Sequence, residues 1–213
     1  PHLDCTLVGD PRLDLSPHGA RIVRRALAAL GVRVMKTRVT EVREAGLDTD
    51  QGWLDSVLTL WAGGLRAPRW LQDAGLPLDA DGRIAVDGAL RVVGRPDVVA
   101  AGDCAGTRLR MACATAMPMG CHAADTLLRE ARGETPRPLS FGYVLRCISL
   151  GPGRALTQGT TSLDRPTWAI GGPLAAWTKA SILAMVRAMP EVEARWMPGS
   201  YSWSGGPQLA SAS

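Results

Sequence analysis

The strongest signal in this sequence is Asp97-Val98-Val99-Ala100-Ala101-Gly102-Asp103-Cys104-Ala105. The apolar run over residues 98–101 is typical of a buried strand, and the run stops at a Gly-Asp pair. Because glycine has no Cβ, Gly102 allows a ligand to approach the backbone closely, and the Asp103 carboxylate can accept hydrogen bonds from two sugar hydroxyls. A strand that ends in Gly-Asp is also a common turn, so the neighbouring sequence has to decide between the two interpretations.

Two further patterns precede this strand. Residues 58–68 read Leu-Thr-Leu-Trp-Ala-Gly-Gly-Leu-Arg-Ala-Pro, and residues 75–87 read Gly-Leu-Pro-Leu-Asp-Ala-Asp-Gly-Arg-Ile-Ala-Val-Asp. The first pattern predicts a buried strand over residues 56–62 that runs into a Gly-Gly pair. The second predicts a tight turn followed by brief strands at residues 84–86 and 90–93.

Helices are predicted on both sides of these strands. Ser16 and Pro17 are typical of an N-cap and a first helical residue, and the helix they open ends at Gly31. Strand-like residues precede it at 3–8 and follow it at 32–35 and 39–42, which indicates a βα unit. A second helix is predicted to begin at Pro118, since proline is tolerated at the first helical position but not inside a helix.

The order of these patterns resembles the pyridine nucleotide-disulfide oxidoreductase superfamily, and within it the type II NADH dehydrogenase-like proteins. The resemblance covers roughly residues 3–179 and implies an α/β fold with FAD and NAD(P)H as cofactors. It implies that residues 1–66 form the second half of a NAD(P)-binding Rossmann-like domain and residues 67–138 the C-terminal portion of the FAD-binding domain. Residues 139–213 would form a small α+β segment for an interface or for membrane docking.

The resemblance also implies cofactor-binding residues. Asp103 would bind the ribityl chain of FAD, with Gly102 supplying close approach, and Gly63 would lie near the dinucleotides. Ala116 and Met117 would lie at the pyrimidine edge of the flavin, where a helix N-terminus favours the negative charge gained on reduction. Hydride transfer needs no acid or base from the protein, so no catalytic side chain and no metal ligand is predicted.

A nicotinamide-side residue is implied by residues 5–10, which read Cys-Thr-Leu-Val-Gly-Asp. This run resembles the second strand of the NAD(P)-binding unit, where the family often places a glutamate that accepts hydrogen bonds from the adenosine ribose. Gly9 stands at that position here, and Asp10 beside it is the candidate substitute. The choice between NADH and NADPH is left open.

The chain departs from the family pattern in two places. No G-x-G-x-x-G motif follows a strand, so we expect both pyrophosphate sites to lie in an N-terminal dinucleotide-binding half that precedes Pro1. A fragment of this kind is expected to bind FAD weakly or not at all. Residues 114–120 also lack the glutamines that type II dehydrogenases usually place near the quinone path.

Three functions therefore stay open. The acceptor of the electrons is a quinone, or it is another acceptor, as in ferredoxin-reductase or disulfide-reductase flavoproteins. In the third interpretation the chain is a truncated, non-catalytic fragment that mediates dimerisation.

Composition and charge exclude several other classes. Lys and Arg total 24 against 20 Asp and Glu, and the two signs are mixed along the chain, which argues against a nucleic-acid partner. The five cysteines include no C-x-x-C pair, which favours a reducing cytoplasm over a disulfide framework or a zinc site. His2, His18 and His122 show no metal-ligand spacing.

The apolar stretch over residues 168–189 is interrupted by Pro173, Lys179 and Arg187, so it is too short to span a bilayer. Its spacing predicts an amphipathic helix. That helix would pack in a core or a homodimer, or it would lie on the inner face of the plasma membrane with Lys179 and Arg187 towards phosphates. The tail from Pro198 is predicted to fray.

Overall fold

The computed structural model describes residues 4–10 and 14–209. His2, Leu3 and Pro11, on which parts of the sequence interpretation fall, lie outside the described residues. The chain divides into two compact units, which are Pro1–Ala62 with Val144–Tyr201 and Gly63–Tyr143 with Ser202–Ser213. The predicted α/β class is confirmed, whereas the division into residues 1–66, 67–138 and 139–213 stays a prediction.

The first unit opens with the predicted βα unit. Strand β1 (Thr6–Val8) pairs in parallel with β2 (Arg33–Met35), and helix α1 (Pro17–Ala29) connects them. The side chain of Ser16 caps α1 by accepting a hydrogen bond from the Gly19 amide at 3.1 Å. This satisfies one of the amide groups that every helix leaves unpaired at its start.

A three-stranded antiparallel sheet follows in the order β3 (Val39–Arg43), β4 (Gly46–Thr49) and β5 (Gly52–Asp55). The segment after it differs from the prediction. No strand forms over residues 56–62 of the described chain, and Val57, Leu58, Leu60 and Trp61 are exposed. The apolar pattern of residues 56–62 is typical of a strand. A strand also needs a neighbouring strand that pairs with its backbone N–H and C=O groups, and the described chain provides none here.

The second unit contains helix α2 (Trp70–Asp73) and four short strands. These are β6 (Ile84–Ala85), β7 (Arg91–Val92), β8 (Arg95–Val99) and β9 (Ala105–Gly106). Strand β6 pairs in parallel with β9, and β7 pairs with β8 in antiparallel orientation. The core of this unit contains several of the largest fully buried side chains, namely Leu71, Leu90, Met119, Leu139 and Val92.

Two aspartates shape the turns around β6 and β7 in the same way. The Oδ1 atoms of Asp79 and Asp87 each accept hydrogen bonds from the amides two and four residues later, at 2.9 to 3.0 Å. Each aspartate also pairs with the arginine four residues later, Arg83 at 3.2 Å and Arg91 at 2.7 Å. The Asp-Gly-Arg motif at residues 81–83 therefore lies in a turn that the side chain of Asp79 holds, as an Asp side chain does when it mimics the backbone.

Helix α3 (Cys113–Ala131) begins earlier than predicted. Pro118 is buried inside the helix and does not occupy its first position. Proline inside a helix removes one backbone hydrogen bond, which an otherwise well-packed helix of this length tolerates. The prediction that this helix begins at Pro118 is therefore wrong.

The C-terminal part of the first unit is a second antiparallel sheet, with β10 (Leu145–Ser149), β11 (Ala155–Thr160) and β12 (Pro166–Gly172) in that order. Helix α4 (Pro173–Arg195) follows directly. Both α1 and α4 contact this sheet, and β11 is almost completely buried. Within residues 4–10 and 14–209, no helix is both long enough and apolar enough to cross a membrane.

The tail does not fray where the sequence predicted it. The amide of Gly142 donates to the Ser204 carbonyl at 2.8 Å, and the amide of Leu209 donates to Leu139 at 2.8 Å. A Cβ on Gly206 would clash with the Phe141 carbonyl oxygen, so glycine permits this close approach. The tail thus pairs with residues 139–142 of the second unit.

Candidate functional site

The predicted Gly-Asp turn is a single turn of 3-10 helix, Gly102–Cys104, that follows the end of β8. Gly102 has φ +77°, in the left-handed region that favours glycine. Asp103 is exposed, and within the described part of the chain its carboxylate has no hydrogen-bond or ion-pair partner. Cys104 is half-buried, and its Sγ donates to the Ala101 carbonyl at 3.3 Å. The turn therefore presents one unengaged carboxylate to solvent.

The first turn of α3 lies against this turn. A Cβ built on Gly102 would have the Ala116 Cβ as its near neighbour, at 3.7 Å, which is ordinary van der Waals contact. Because the left-handed backbone of Gly102 brings the two turns this close, the segment before α3 and the Gly-Asp turn form one surface.

The helix end at this surface is not capped by a side chain. Ala112 is the N-cap residue, and its carbonyl accepts the amides of Thr115 at 3.1 Å and Ala116 at 2.9 Å. The exposed residues Cys113 and Ala114 occupy the first two helical positions, and their amides have no acceptor among the described residues. Free amides and the positive end of the helix dipole favour an electron-rich ligand at such a position.

Two polar side chains fix the entry to α3. Thr115 is fully buried, and its Oγ1 lies 2.7 Å from the Arg110 carbonyl and 2.8 Å from that of Ala112. The Tyr143 hydroxyl accepts the Arg110 amide at 2.7 Å, and its ring lies 5.1 Å from the Arg110 guanidinium carbon. Backbone and cation–π contacts together hold the segment that leads into the helix.

The structure brings four of the predicted site residues to one place. Gly102, Asp103, Ala116 and Met117 lie on the Gly-Asp turn and the start of α3. The predicted role of Met117 at the helix end needs a correction. Because α3 begins at Cys113, Met117 is half-buried in the second turn, and Cys113 and Ala114 form the exposed end.

The two remaining predicted residues lie elsewhere in the chain. Gly63 is the exposed first residue of the second unit and belongs to no helix or strand. Asp10 belongs to the first unit and is exposed directly after Gly9, whose amide donates to the Met35 carbonyl at 2.8 Å. That hydrogen bond extends the pairing of β1 with β2 by one residue.

Sequence interpretation missed Thr115, Tyr143 and the amides of Cys113 and Ala114. Residues 112–116 consist of small helix-compatible residues, and this signal favoured an earlier helix start over the proline rule. No local signal identifies Tyr143, because it reaches Arg110 across 33 residues of sequence.

Two open clefts of about 410 and 610 Å³ lie in the second unit and share Arg66, Ala80 and Asp81. Neither is lined by Gly102, Asp103 or Ala116. The Arg83 guanidinium, which lines the larger cleft, already pairs with Asp79 and Asp81. The candidate site is therefore the exposed turn and not either cleft. Within the described ranges, no cluster of His, Cys, Asp and Glu is arranged to hold a metal ion.

Comparisons with known proteins agree with the sequence resemblance. Residues 10–120, a little more than half of the chain, match the family model described as pyridine nucleotide-disulphide oxidoreductase. An NADH dehydrogenase-like protein of Mycobacterium tuberculosis is 29% identical over 178 residues, which cover 79% of this chain and 44% of the relative. The chain thus spans less than half of the length of the curated relatives it matches.

Solved structures show the same fold at low identity. An FAD-dependent pyridine nucleotide-disulphide oxidoreductase from Desulfovibrio vulgaris is 22% identical, with a TM-score of 0.53 over 89% of this chain and 58% of that one. NDH2 from Plasmodium falciparum, in complex with NADH, is 12% identical, with a TM-score of 0.56 over 94% of this chain and 60% of that one.

The family of this chain follows from the Gly-Asp turn, the βα unit and the residues that match the family model. Proteins of the matched family bind FAD and NAD(P)H. The chain belongs to the pyridine nucleotide-disulphide oxidoreductase family.

Proposed function

We propose that this chain supplies the flavin-contacting turn and the nicotinamide-side βα unit of an FAD-dependent NAD(P)H oxidoreductase. In the complete enzyme, hydride would pass from the nicotinamide to the flavin, and the electrons would pass on to a quinone or another acceptor. Because the chain spans 44% of its curated relative, this activity is proposed for the whole protein and not for residues 1–213 alone.

The proximity of Gly102 to Ala116 is the observation that carries the proposal, since a Cβ added at Gly102 would lie 3.7 Å from the Ala116 Cβ. It places an unengaged carboxylate, Asp103, beside an uncapped helix end. A carboxylate suits the hydroxyls of a ribityl chain, and the amides of Cys113 and Ala114 suit the electron-rich pyrimidine edge of a flavin. The donors and acceptors of this surface therefore fit FAD.

When bound, FAD would supply the hydride chemistry itself. The roles left to this chain are to bind, to orient and to exclude water. Asp103 would accept hydrogen bonds from the ribityl hydroxyls, and the end of α3 would favour negative charge near the flavin ring. Gly63 and Asp10 would contact the dinucleotides, with Asp10 accepting from the adenosine ribose.

The pyrophosphate groups need a different partner. A glycine-rich loop at a helix N-terminus usually holds them, and the sequence contains no G-x-G-x-x-G. We therefore propose that an N-terminal dinucleotide-binding half completes the enzyme, and that residues 1–213 alone bind FAD weakly. We also propose that the complete enzyme is a homodimer and is located in the cytoplasm.

An absorption spectrum of the protein as its own gene expresses it, recorded with its intact mass, tests the proposal. We expect a flavin band that bleaches when NADH or NADPH is added without oxygen. Asp103→Asn removes a charged acceptor, and hydrogen bonds to charged groups contribute about 1.5–3 kcal/mol, so FAD should bind roughly ten- to a hundredfold more weakly.

Asp73→Asn is the matched control, since Asp73 is exposed on α2 in the same unit and is remote in sequence from the turn. It should leave FAD affinity unchanged. A colourless protein of 22.6 kDa would contradict the proposal and favour the non-catalytic dimerisation fragment. A bleaching flavin that passes no electrons to quinones would instead favour the ferredoxin- or disulfide-reductase type.

A further inference from the structure

The C-terminal tail, residues 202–209, is fixed to residues 139–142 by side chains as well as by the backbone. The indole Nε1 of Trp203 donates to the Ser140 carbonyl at 2.9 Å. The Ser140 hydroxyl donates to the Gly206 carbonyl at 2.8 Å and accepts the Gly206 amide at 3.1 Å. Both segments belong to the second unit, so the tail is an integral part of that unit.

The residue that follows this supported segment reaches the entry to α3. Tyr143 comes directly after Gly142, and its hydroxyl accepts the Arg110 amide at 2.7 Å. The Phe141 ring meets the Tyr143 ring edge-on, with the centroids 5.0 Å apart, and Phe141 is buried in the core of the unit. Residues 139–142 therefore hold both the backbone and the ring of Tyr143.

Arg110 is the point at which Tyr143 and helix α3 meet. It lies in residues 107–112, which join β9 to α3 and form neither helix nor strand. Its amide donates to Tyr143, and its carbonyl lies 2.7 Å from the Oγ1 of Thr115 in the first turn of α3. An irregular segment depends on such contacts for its conformation, so a loss of the Tyr143 contact is expected to shift the start of α3.

We propose that Tyr143 is a positioning residue for the flavin and that the tail acts on the flavin through Tyr143. By holding Arg110, Tyr143 keeps the uncapped end of α3 beside Asp103. The tail keeps Tyr143 in place, because it pairs with the residues that precede the tyrosine. This inference rests on the proposed function, since the flavin is the ligand that the end of α3 meets.

Two neighbouring glycines of the tail provide a matched pair of variants. A Cβ on Gly206 would clash with the Phe141 carbonyl and would lie 2.7 Å from the Gly142 Cα. A Cβ on Gly205 would meet only the Ser140 Oγ, at 3.7 Å. Neither glycine has a φ in the left-handed region, so alanine is not strained at either position. Gly206→Ala should therefore displace the tail, whereas Gly205→Ala should leave it in place.

A second pair of variants tests the tyrosine itself. Tyr143→Phe removes the hydroxyl that accepts the Arg110 amide and keeps the ring beside the guanidinium group. Thr126→Val is the control, because Thr126 is fully buried further along α3 and its hydroxyl donates to the Ala89 carbonyl at 2.9 Å. Each change removes one hydroxyl that bonds to the backbone, but only Tyr143→Phe does so at the entry to α3.

The test uses the complete flavoprotein. FAD affinity is measured by the fluorescence of released flavin, the reduction potential of the bound flavin by anaerobic titration, and local order by amide hydrogen exchange. Tyr143→Phe should bind FAD roughly two- to tenfold more weakly, as the loss of one neutral hydrogen bond implies, and the Arg110 amide should exchange faster. The bound flavin should have a lower reduction potential, because a displaced helix end stabilises the negative charge of the reduced flavin less. Gly206→Ala should cause the same changes, together with faster exchange of the Gly142 and Leu209 amides.

Thr126→Val should lower the melting temperature, and neither Thr126→Val nor Gly205→Ala should change the FAD affinity or the reduction potential. Wild-type values of both in Tyr143→Phe, or an equal change in Thr126→Val, would overturn the positioning role and leave the proposed function intact. A Gly206→Ala protein with wild-type flavin properties would overturn the part assigned to the tail. A wild-type protein that carries no flavin would overturn the proposed function and this inference together.

Discussion

Gly102 lies beside Ala116, since a Cβ added to the glycine would lie 3.7 Å from the Ala116 Cβ, in ordinary van der Waals contact. The distance is ordinary, so the space next to Gly102 does not by itself exclude a larger residue. The requirement for glycine comes from its φ of +77°. The geometry of the Gly-Asp turn therefore depends on the backbone of one residue.

Gly102→Ala is expected to destabilise the fold by about 1–2 kcal/mol, because an L-residue is strained in the left-handed region. It should also lower the ratio of bound flavin to protein, measured by absorbance. Gly133→Ala is the control, since Gly133 has φ +72° and nothing within 4 Å of its Cβ position. We expect both variants to lose similar stability in urea unfolding, and a parallel loss of flavin in both would contradict the role of the turn.

A second prediction concerns the stability of the fold at acidic pH. Asp50 accepts hydrogen bonds from the Thr37 hydroxyl and from the Arg38 amide at 3.2 Å, and these bonds hold the pKa of the Asp50 carboxyl below its ordinary value, the Thr37 bond most strongly. A lowered folded-state pKa stabilises the fold above the unfolded value of about 4, and the stabilisation is lost as the pH falls through the folded pKa.

Thr37→Val should therefore raise the pKa of Asp50 towards its ordinary value, measured by NMR titration of the carboxyl carbon. The difference in the free energy of unfolding between Thr37→Val and the wild type should shrink as the pH falls and Asp50 becomes protonated. Thr37→Ser keeps the hydroxyl and should keep the low pKa. If the serine and valine variants titrate alike, the Thr37 hydroxyl is not the cause of the shift.

Features fixed by neighbouring residues were predictable from the sequence. Ser16 and Pro17 define the start of α1 by local capping, and the structure confirms it at the predicted residue. The Gly-Asp turn at Gly102 was predictable for the same reason, because an apolar run that stops at a Gly-Asp pair is a local pattern. Both features depend on groups within a few residues of each other.

Features that depend on distant partners were not predictable. The pattern at residues 56–62 favours a strand, yet no neighbouring strand pairs with it among the described residues. The tail pairs with residues 139–142, and Gln158 reaches Ser16 across 142 residues. Local propensity carries no information on such partners. The start of α3 at Cys113 is a different case, because the small residues at 112–116 signal it locally.

A third prediction concerns the exposed apolar side chains of α4. Leu174, Trp177 and Met185 are exposed on one side of the helix, and Lys179 and Arg187 lie on the same helix. An amphipathic helix with basic residues binds anionic lipid surfaces, and each basic residue near the surface contributes about 1 kcal/mol. Lys179→Glu with Arg187→Glu should therefore reduce co-sedimentation of the intact protein with anionic vesicles.

Arg24→Glu with Arg25→Glu makes the same change of net charge on the exposed surface of α1 and should have a smaller effect. An intact protein that fails to sediment with the vesicles would end the membrane proposal. An equal reduction in both double variants would indicate attraction by net charge without docking of α4.

The last prediction contrasts two glycines inside helices. Replacing glycine by alanine within a helix usually stabilises it by up to about 1 kcal/mol, and Gly120→Ala in α3 should do so, since nothing lies within 4 Å of its Cβ position. Gly19→Ala in α1 should instead destabilise the protein by about 1–3 kcal/mol, because the new Cβ would lie 2.8 Å from the Gln158 Oε1 and 3.2 Å from the Ser16 Oγ. Gln158 is completely buried and cannot turn away without losing its hydrogen bond to Ser16. Urea unfolding measures the stability of both variants. A Gly19→Ala protein as stable as the Gly120→Ala protein would mean that Gln158 is free to move and does not hold the start of α1.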